Sequence, residues 1–192
     1  MLRRATLEDA DALSALASTC FTQTFGHLYA PDDLDHFIDE AYSPEVLRAE
    51  LADPKRPTWL LFEELSMDTE SAPSPAHVDE GSEGKLIGYV TACPAHLPHP
   101  EVKEGDGEVQ RLYLLQEYQG GGRGSRMLEH ALNWLEADGP RTLWIGAWSE
   151  NYGAQRLYGR YGFTKVGEYS FMVGDHADRE FILRRNAAVQ ES

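Results

Sequence analysis

The chain has 192 residues with 42% hydrophobic content, and 17 Lys and Arg against 32 Asp and Glu leave a net charge of −15. That length suits one domain with a sizeable core. The charge excludes a phosphodiester-binding surface, which needs clustered Lys and Arg, and no apolar run approaches the roughly 20 residues of a membrane helix.

The opening "MLRRATLEDADAL" has no continuous apolar core, so no signal peptide is expected. Residues 2–6 read as a short strand, with Thr6 as N-cap of a helix and Asp9 at the capping-box position. Ala10, Leu13, Ala17 and Cys20 then follow helical spacing. Pro31 opens a second helix with acids in its first turn and Leu34, Phe37, Ile38 and Ala41 along one side; Ser43 and Pro44 open a third. Strands are expected over 58–64 and 85–93. Between them, residues 66–84 are rich in Ser, Pro, Glu and Gly without periodicity, and read as a mobile insertion.

A loop ending at Gly107 leads into an apolar strand over 108–115. Next come Gly120, Gly121, Gly122 and Gly124, then a helix whose stripe is Met127, Leu128, Ala131, Leu132 and Leu135, stopped by Gly139 and Pro140. A strand ("RTLWIGAW"), a short helix ended by Gly162 and two closing strands ("FTKVGEYSFMVG", "REFILRR") complete a single α/β domain over 1–186, with 187–192 as a frayed tail. Cys20 and Cys93 show no CxxC spacing and read as reduced thiols of a cytoplasmic protein. His96, His99 and His130 have no third ligand at metal spacing, so no metal is assigned.

The glycines carry the chemistry. A linker would not be bracketed by an apolar strand and an amphipathic helix, and neither the dinucleotide GxGxxG nor the Walker A spacing fits. What remains is a strand–Gly loop–helix whose successive amides can cradle an anion, with Arg123 adding positive charge.

"LLQEYQGGGRG" contains Gln119-x-x-Gly122-x-Gly124, and "NYGAQRLYGRYGF" (residues 151–163) follows the pattern N-x-x-A-x-x-L-Y-x-x-x-G-F. In both, the chain resembles the GCN5-related N-acetyltransferase (GNAT) superfamily, closest in appearance to bacterial polyamine-type members. The resemblance covers nearly the whole chain outside 66–84. It implies a single-domain fold with a mixed central sheet of six to seven strands flanked by helices. Gln116 departs from the family's frequent proline, and a softer strand exit is expected there.

Acetyl transfer from a thioester to an amine needs the donor held, the carbonyl polarised, the amine deprotonated and the thiolate protonated. The resemblance implies acetyl-CoA as co-substrate. Its pyrophosphate would lie on the loop from Gly120, Gly121, Gly122, Arg123 and Gly124 to Ser125, with Gln119. Its pantetheine arm would lie along main-chain groups of Leu112, Tyr113 and Leu114, with a backbone N–H near Leu114 polarising the carbonyl. Tyr158 takes the position of the family's general acid, although its helical spacing also fits a core residue. Asn151 matches a cofactor contact and equally a helix cap. Glu108 is the candidate base, acting through water, or else a solvated strand-end carboxylate.

The acceptor side falls to residues 21–45 and the loop before Glu108. Asp32, Asp33, Asp35, Asp39 and Glu40, interleaved with Tyr29, Phe37 and Tyr42, suit an ammonium or polyamine or form a solvated helix face. The expected partner is a small-molecule or peptide amine. Nucleic acid and membrane are excluded, and a homodimer is among the assemblies left open. Acetylation of a protein N-terminus or lysine, and a non-catalytic acyl-CoA sensor, are the rival readings.

Overall fold

The computed structural model describes residues 1–64 and 84–188. Apart from Gly84, the insertion expected over 66–84 lies outside the described residues, as do the last four residues of the tail.

The elements in chain order are β1 (Leu2–Arg4), α1 (Ala10–Phe25), α2 (Pro31–Tyr42), α3 (Pro44–Leu51), β2 (Thr58–Phe62), β3 (Leu86–Pro94), β4 (Gly107–Leu114), α4 (Arg123–Leu135), β5 (Leu143–Trp148), α5 (Tyr152–Arg160), β6 (Thr164–Val173) and β7 (His176–Arg185). They build one seven-stranded sheet in the order β1-β2-β3-β4-β5-β7-β6. Every neighbouring pair is antiparallel except β4 and β5, which are parallel.

Side-chain alternation explains why helices cover both faces. On β2, Trp59 and Leu61 enter one buried cluster while Leu60 and Phe62 enter the other, so the strand reads as continuously apolar. The first cluster packs against the α4 stripe of Met127, Leu128, Ala131, Leu132 and Leu135, all five buried as their spacing requires. The second packs against Leu13, Leu16, Ala17, Cys20 and Phe21 of α1. A smaller cluster of Leu97, Trp144 and Ile182 pins the loop before β4 to the sheet, and Asp106 Oδ2 accepts a hydrogen bond from Trp144 Nε1 at 2.8 Å.

The expected Thr6–Asp9 capping box forms, but it caps a 3-10 turn over Leu7–Asp9 ahead of α1; Asp9 accepts the Thr6 amide at 2.7 Å and the Arg3 guanidinium at 2.8 and 2.9 Å. Two other local expectations change. The exit from β4 is not soft. The Gln116 amide donates to Gln23 Oε1 at 3.1 Å and its side-chain NH2 to the Gln23 carbonyl at 2.8 Å, so Gln116 ties the exit to α1. Finally, β7 begins at His176 rather than at residue 179. Gly174, at φ 54°, turns the chain tightly enough for Val173 to pair with His176.

Candidate active site

The sheet opens where its one parallel pair fails. β4 and β5 are paired only at Gly107↔Leu143 and Glu108↔Trp144. On the other side of β4 the register with β3 passes from Ala92↔Val109 to Thr91↔Arg111, which leaves Gln110 as a bulged, unpartnered residue. A bulge bends its strand, and it falls where β4 leaves β5. Val109 and residues 111–114 keep their pairing to β3, while among the described residues this stretch of β4 presents a free backbone edge to the gap.

That gap is a cleft of about 570 Å³. Leu112, Tyr113 and Leu114 line it from β4, and Gly146, Ala147 and Trp148 from β5. Asn151, Ala154, Leu157 and Tyr158 line it from the start of α5 and along that helix. At the end of β4, Gln119, Gly120, Gly122, Gly124 and Ser125 complete the lining.

The glycine loop has the geometry its sequence called for. Gly120, Gly121 and Gly122 all have positive φ (88°, 59° and 77°), a run only glycine adopts without strain. Gly122 is the left-handed N-cap of α4. Among the described residues no backbone carbonyl takes the amides of Gly122, Gly124 or Ser125. These orphan donors stand at the positive end of the helix dipole, an arrangement that can cradle an anion. Two residues expected in the binding set do not line the cleft: Gly121, and Arg123, whose Nη1 donates back to the Tyr118 carbonyl at 3.4 Å.

Tyr158 is 6% exposed and faces the cleft from α5, with its ring edge-on to Phe163. Burial pushes its phenol above the usual range, so the group enters any reaction protonated. Tyr161, three residues on, points elsewhere and donates to Glu129 Oε1 at 2.6 Å. Asn151 does cap α5, accepting the Ala154 amide at 3.0 Å, and also lines the cleft.

A second cavity of about 300 Å³ adjoins the first; Phe25, Gln110, Tyr113, Gly146 and Glu180 line both. Its walls are largely aromatic, with Phe21 from α1, Phe37 and Tyr42 from α2, and Tyr169 and Phe171 from β6. Glu108 lines this cavity and not the cleft, and it is no solvated strand-end carboxylate: it is 3% exposed. Its Oε2 accepts the His96 amide at 2.9 Å and lies 3.1 Å from His96 Nδ1. His96 also has Cys93 Sγ at 3.7 Å. The hydrogen bonds with Cys93 and then Glu108 push the imidazole up to about 10, so it stands beside Glu108 as a cation. Cys93, His96 and Glu108 thus gather their ligand-type atoms within 4.8 Å of one another, a grouping across 16 residues that sequence spacing did not disclose.

The description of the acetyltransferase (GNAT) family matches residues 13–163 of this chain. The chain belongs to the GNAT family. It is an N-acetyltransferase by that membership, and an uncharacterized N-acetyltransferase from Lactobacillus delbrueckii subsp. lactis is 25% identical over 93% of this chain and 92% of its own. The spermine/spermidine N(1)-acetyltransferase of Bacillus subtilis is 32% identical over 46% of this chain and 59% of its own. In fold, the chain is similar to the PaiA N-acetyltransferase of Thermoplasma acidophilum, crystallised with coenzyme A. The TM-score is 0.69 at 19% identity, over 97% of this chain and 98% of that one.

Within this GNAT chain the acidic residue of the site that no sequence motif marked is Glu180. Glu180 stands on β7, opposite Trp148 of β5 on one side and Tyr169 of β6 on the other, and faces both cavities. Burial, with Asp178 adding repulsion, pushes its carboxyl up to about 8. The available signal was weak: Asp178, Glu180 and Ile182 share one face of β7, two acids in series with a core isoleucine. The acids of α2 contribute nothing to either cavity. Asp32, Asp35, Asp39 and Glu40 are exposed, and α2 lines the second cavity with Phe37, Ala41 and Tyr42.

Proposed function

We propose that this GNAT chain transfers the acetyl group of acetyl-CoA directly to the primary amine of a small acceptor. One observation carries the reading: the cleft between β4 and β5 runs from an amide cradle at the start of α4 to a junction with a separate aromatic cavity. A donor with an anionic handle and a reactive end fits the first, and an amine reaches that reactive end from the second.

In this reading the pyrophosphate rests on the free amides of Gly122, Gly124 and Ser125, with Gly120 leaving the approach open. A Cβ there or at Gly122 would meet nothing within 4 Å, so the cradle stands clear of the fold. The pantetheine amides pair with the unoccupied edge of Leu112, Tyr113 and Leu114 as an added strand would. A β4 amide near Leu114 polarises the thioester carbonyl. The protonated Tyr158 gives its proton to the departing thiolate. Glu108, the base named from sequence, is already committed to His96; we assign it to holding the loop before β4, through the His96 amide, beside the acceptor cavity.

A polyamine acceptor is the second reading, favoured by the similarity to the Bacillus subtilis spermine/spermidine enzyme. The sensor reading would leave a protonated tyrosine in the cleft without work. Calorimetric titration with acetyl-CoA, followed by mass spectrometry of amines incubated with it, tests the proposal. The expected result is saturable binding and N-acetylated product; binding with no acetylated amine would favour the sensor.

A further inference from the structure

The second cavity has a charge balance that restricts what it can accept. Among the described residues its charged lining groups, besides Arg111, are His96, Glu108 and Glu180. Arg111 is met by Glu50, with contacts of 2.5 and 3.2 Å, and Glu108 is met by His96. Asp178, two residues before Glu180 on the same face of β7, is met by His176 at 3.3 Å and by the Tyr29 hydroxyl. Glu180 alone has neither a cation nor a hydrogen-bond donor among the described residues.

It also holds the decisive position. Its carboxylate oxygen lies 4.0 Å from where a Cβ on Gly146 would sit, with the Tyr169 hydroxyl 3.4 Å from the same point. Gly146 is on β5 at the junction of the two cavities, so the missing side chain leaves room for a reacting nitrogen there. The cavity that opens from this point is walled by Phe21, Phe37, Tyr169 and Phe171.

Building on the acetyltransferase reading above, we propose that the second cavity is the acceptor site and takes a primary amine with one positive charge on an aromatic or aliphatic body. Glu180 receives that ammonium and removes its proton. One uncompensated carboxylate stabilises one ammonium, and aromatic walls favour an apolar body over a second charge, whose desolvation nothing there offsets. The neutral amine attacks the thioester carbonyl carbon, forming the C–N bond. As the C–S bond breaks, the thiolate takes the Tyr158 proton. The second nitrogen proton restores Tyr158, and Glu180 releases its own to solvent, so amine cation and acetyl-CoA give amide, thiol and one proton.

The groups facing Glu180 are Asp178 from β7, Tyr169 from β6, Tyr113 from β4, Tyr158 from α5 and Tyr29 ahead of α2. All are acidic or phenolic, and they agree with a carboxyl titrating at about 8. A base must be ionised, so kcat/KM should rise with pH through that region in the free enzyme.

The experiment measures thiol release from acetyl-CoA with 2-phenylethylamine, hexylamine, spermidine and a lysine peptide, using the purified chain and its Glu180→Gln variant from pH 6 to 9.5. Both monoamines should exceed spermidine in kcat/KM by at least about tenfold. Glu180→Gln should lose about a hundredfold or more and flatten the pH profile, with acetyl-CoA affinity by calorimetry unchanged. Preference for spermidine or the peptide overturns the acceptor class but leaves the transferase reading standing. An unaltered pH profile in Glu180→Gln overturns the base. Absence of acetyl-CoA binding, or of thiol release with every amine, overturns the reading on which both rest.

Discussion

Tyr158 and Tyr161 lie three residues apart on one short helix, yet only the first reaches the cleft while the second is engaged by Glu129. Tyr158→Phe keeps the buried ring and removes only the proton. It should lower kcat by about a hundredfold while acetyl-CoA affinity by calorimetry stays unchanged. Gly122 is the backbone counterpart. At φ 77°, a β-branched side chain is strained whatever the space around it, so Gly122→Val should misalign the amide cradle and weaken acetyl-CoA binding by about tenfold or more. At this scale, the sequence disclosed what local order determines. The glycine run and the tyrosine are spaced by one loop and one helix, so a motif can carry them. Glu180 and the Glu108–His96 pair depend on strand register and on a loop folding back, which local spacing does not encode.

At the scale of elements, the cleft exists because a parallel pair is held at one end and a bulge at Gln110 turns β4 away. α4 must then stay fixed, since its first turn is the cradle and its stripe is the core on that face. Leu128 is fully buried in that stripe. Leu128→Ala should cost about 3 kcal/mol in denaturant unfolding, and acetyl-CoA affinity should change little while the protein remains folded. The helices and central strands were legible because burial on one or two faces writes a period into the sequence. The parting of β4 from β5 was not, because residues 109–114 look the same paired or unpaired when a ligand uses only their backbone. The acids of α2 follow the solvated-face alternative: the helix turns Phe37 and Tyr42 inward, while Asp32, Asp35, Asp39 and Glu40 are exposed.

For the whole molecule, a carboxyl held near 8 is a cost to folding. Above about 4.5 the unfolded chain releases the Glu180 proton while the folded chain keeps it, so this residue removes stability progressively as pH rises from about 4.5 to about 8. His96 has the opposite kind of shift: its contribution is complete below 6.5 and is lost as pH rises through about 10. Glu180→Gln removes the first contribution and not the second. Its melting temperature should therefore exceed that of the parent chain by a margin that widens from pH 5 to pH 8.5; a constant margin would place Glu180 in a more solvated setting. Activity and stability then oppose each other at one carboxylate, as expected where a site is held in an unfavourable environment for its chemistry.

Direct acetyl transfer is tested most directly by the stoichiometry of a single reaction mixture of protein, acetyl-CoA and 2-phenylethylamine at pH 8.5. Free thiol and N-acetylated amine should appear in equal amounts over many turnovers, and both should fall together in Tyr158→Phe. Thiol without acetylated amine, or neither product despite bound acetyl-CoA, would contradict it.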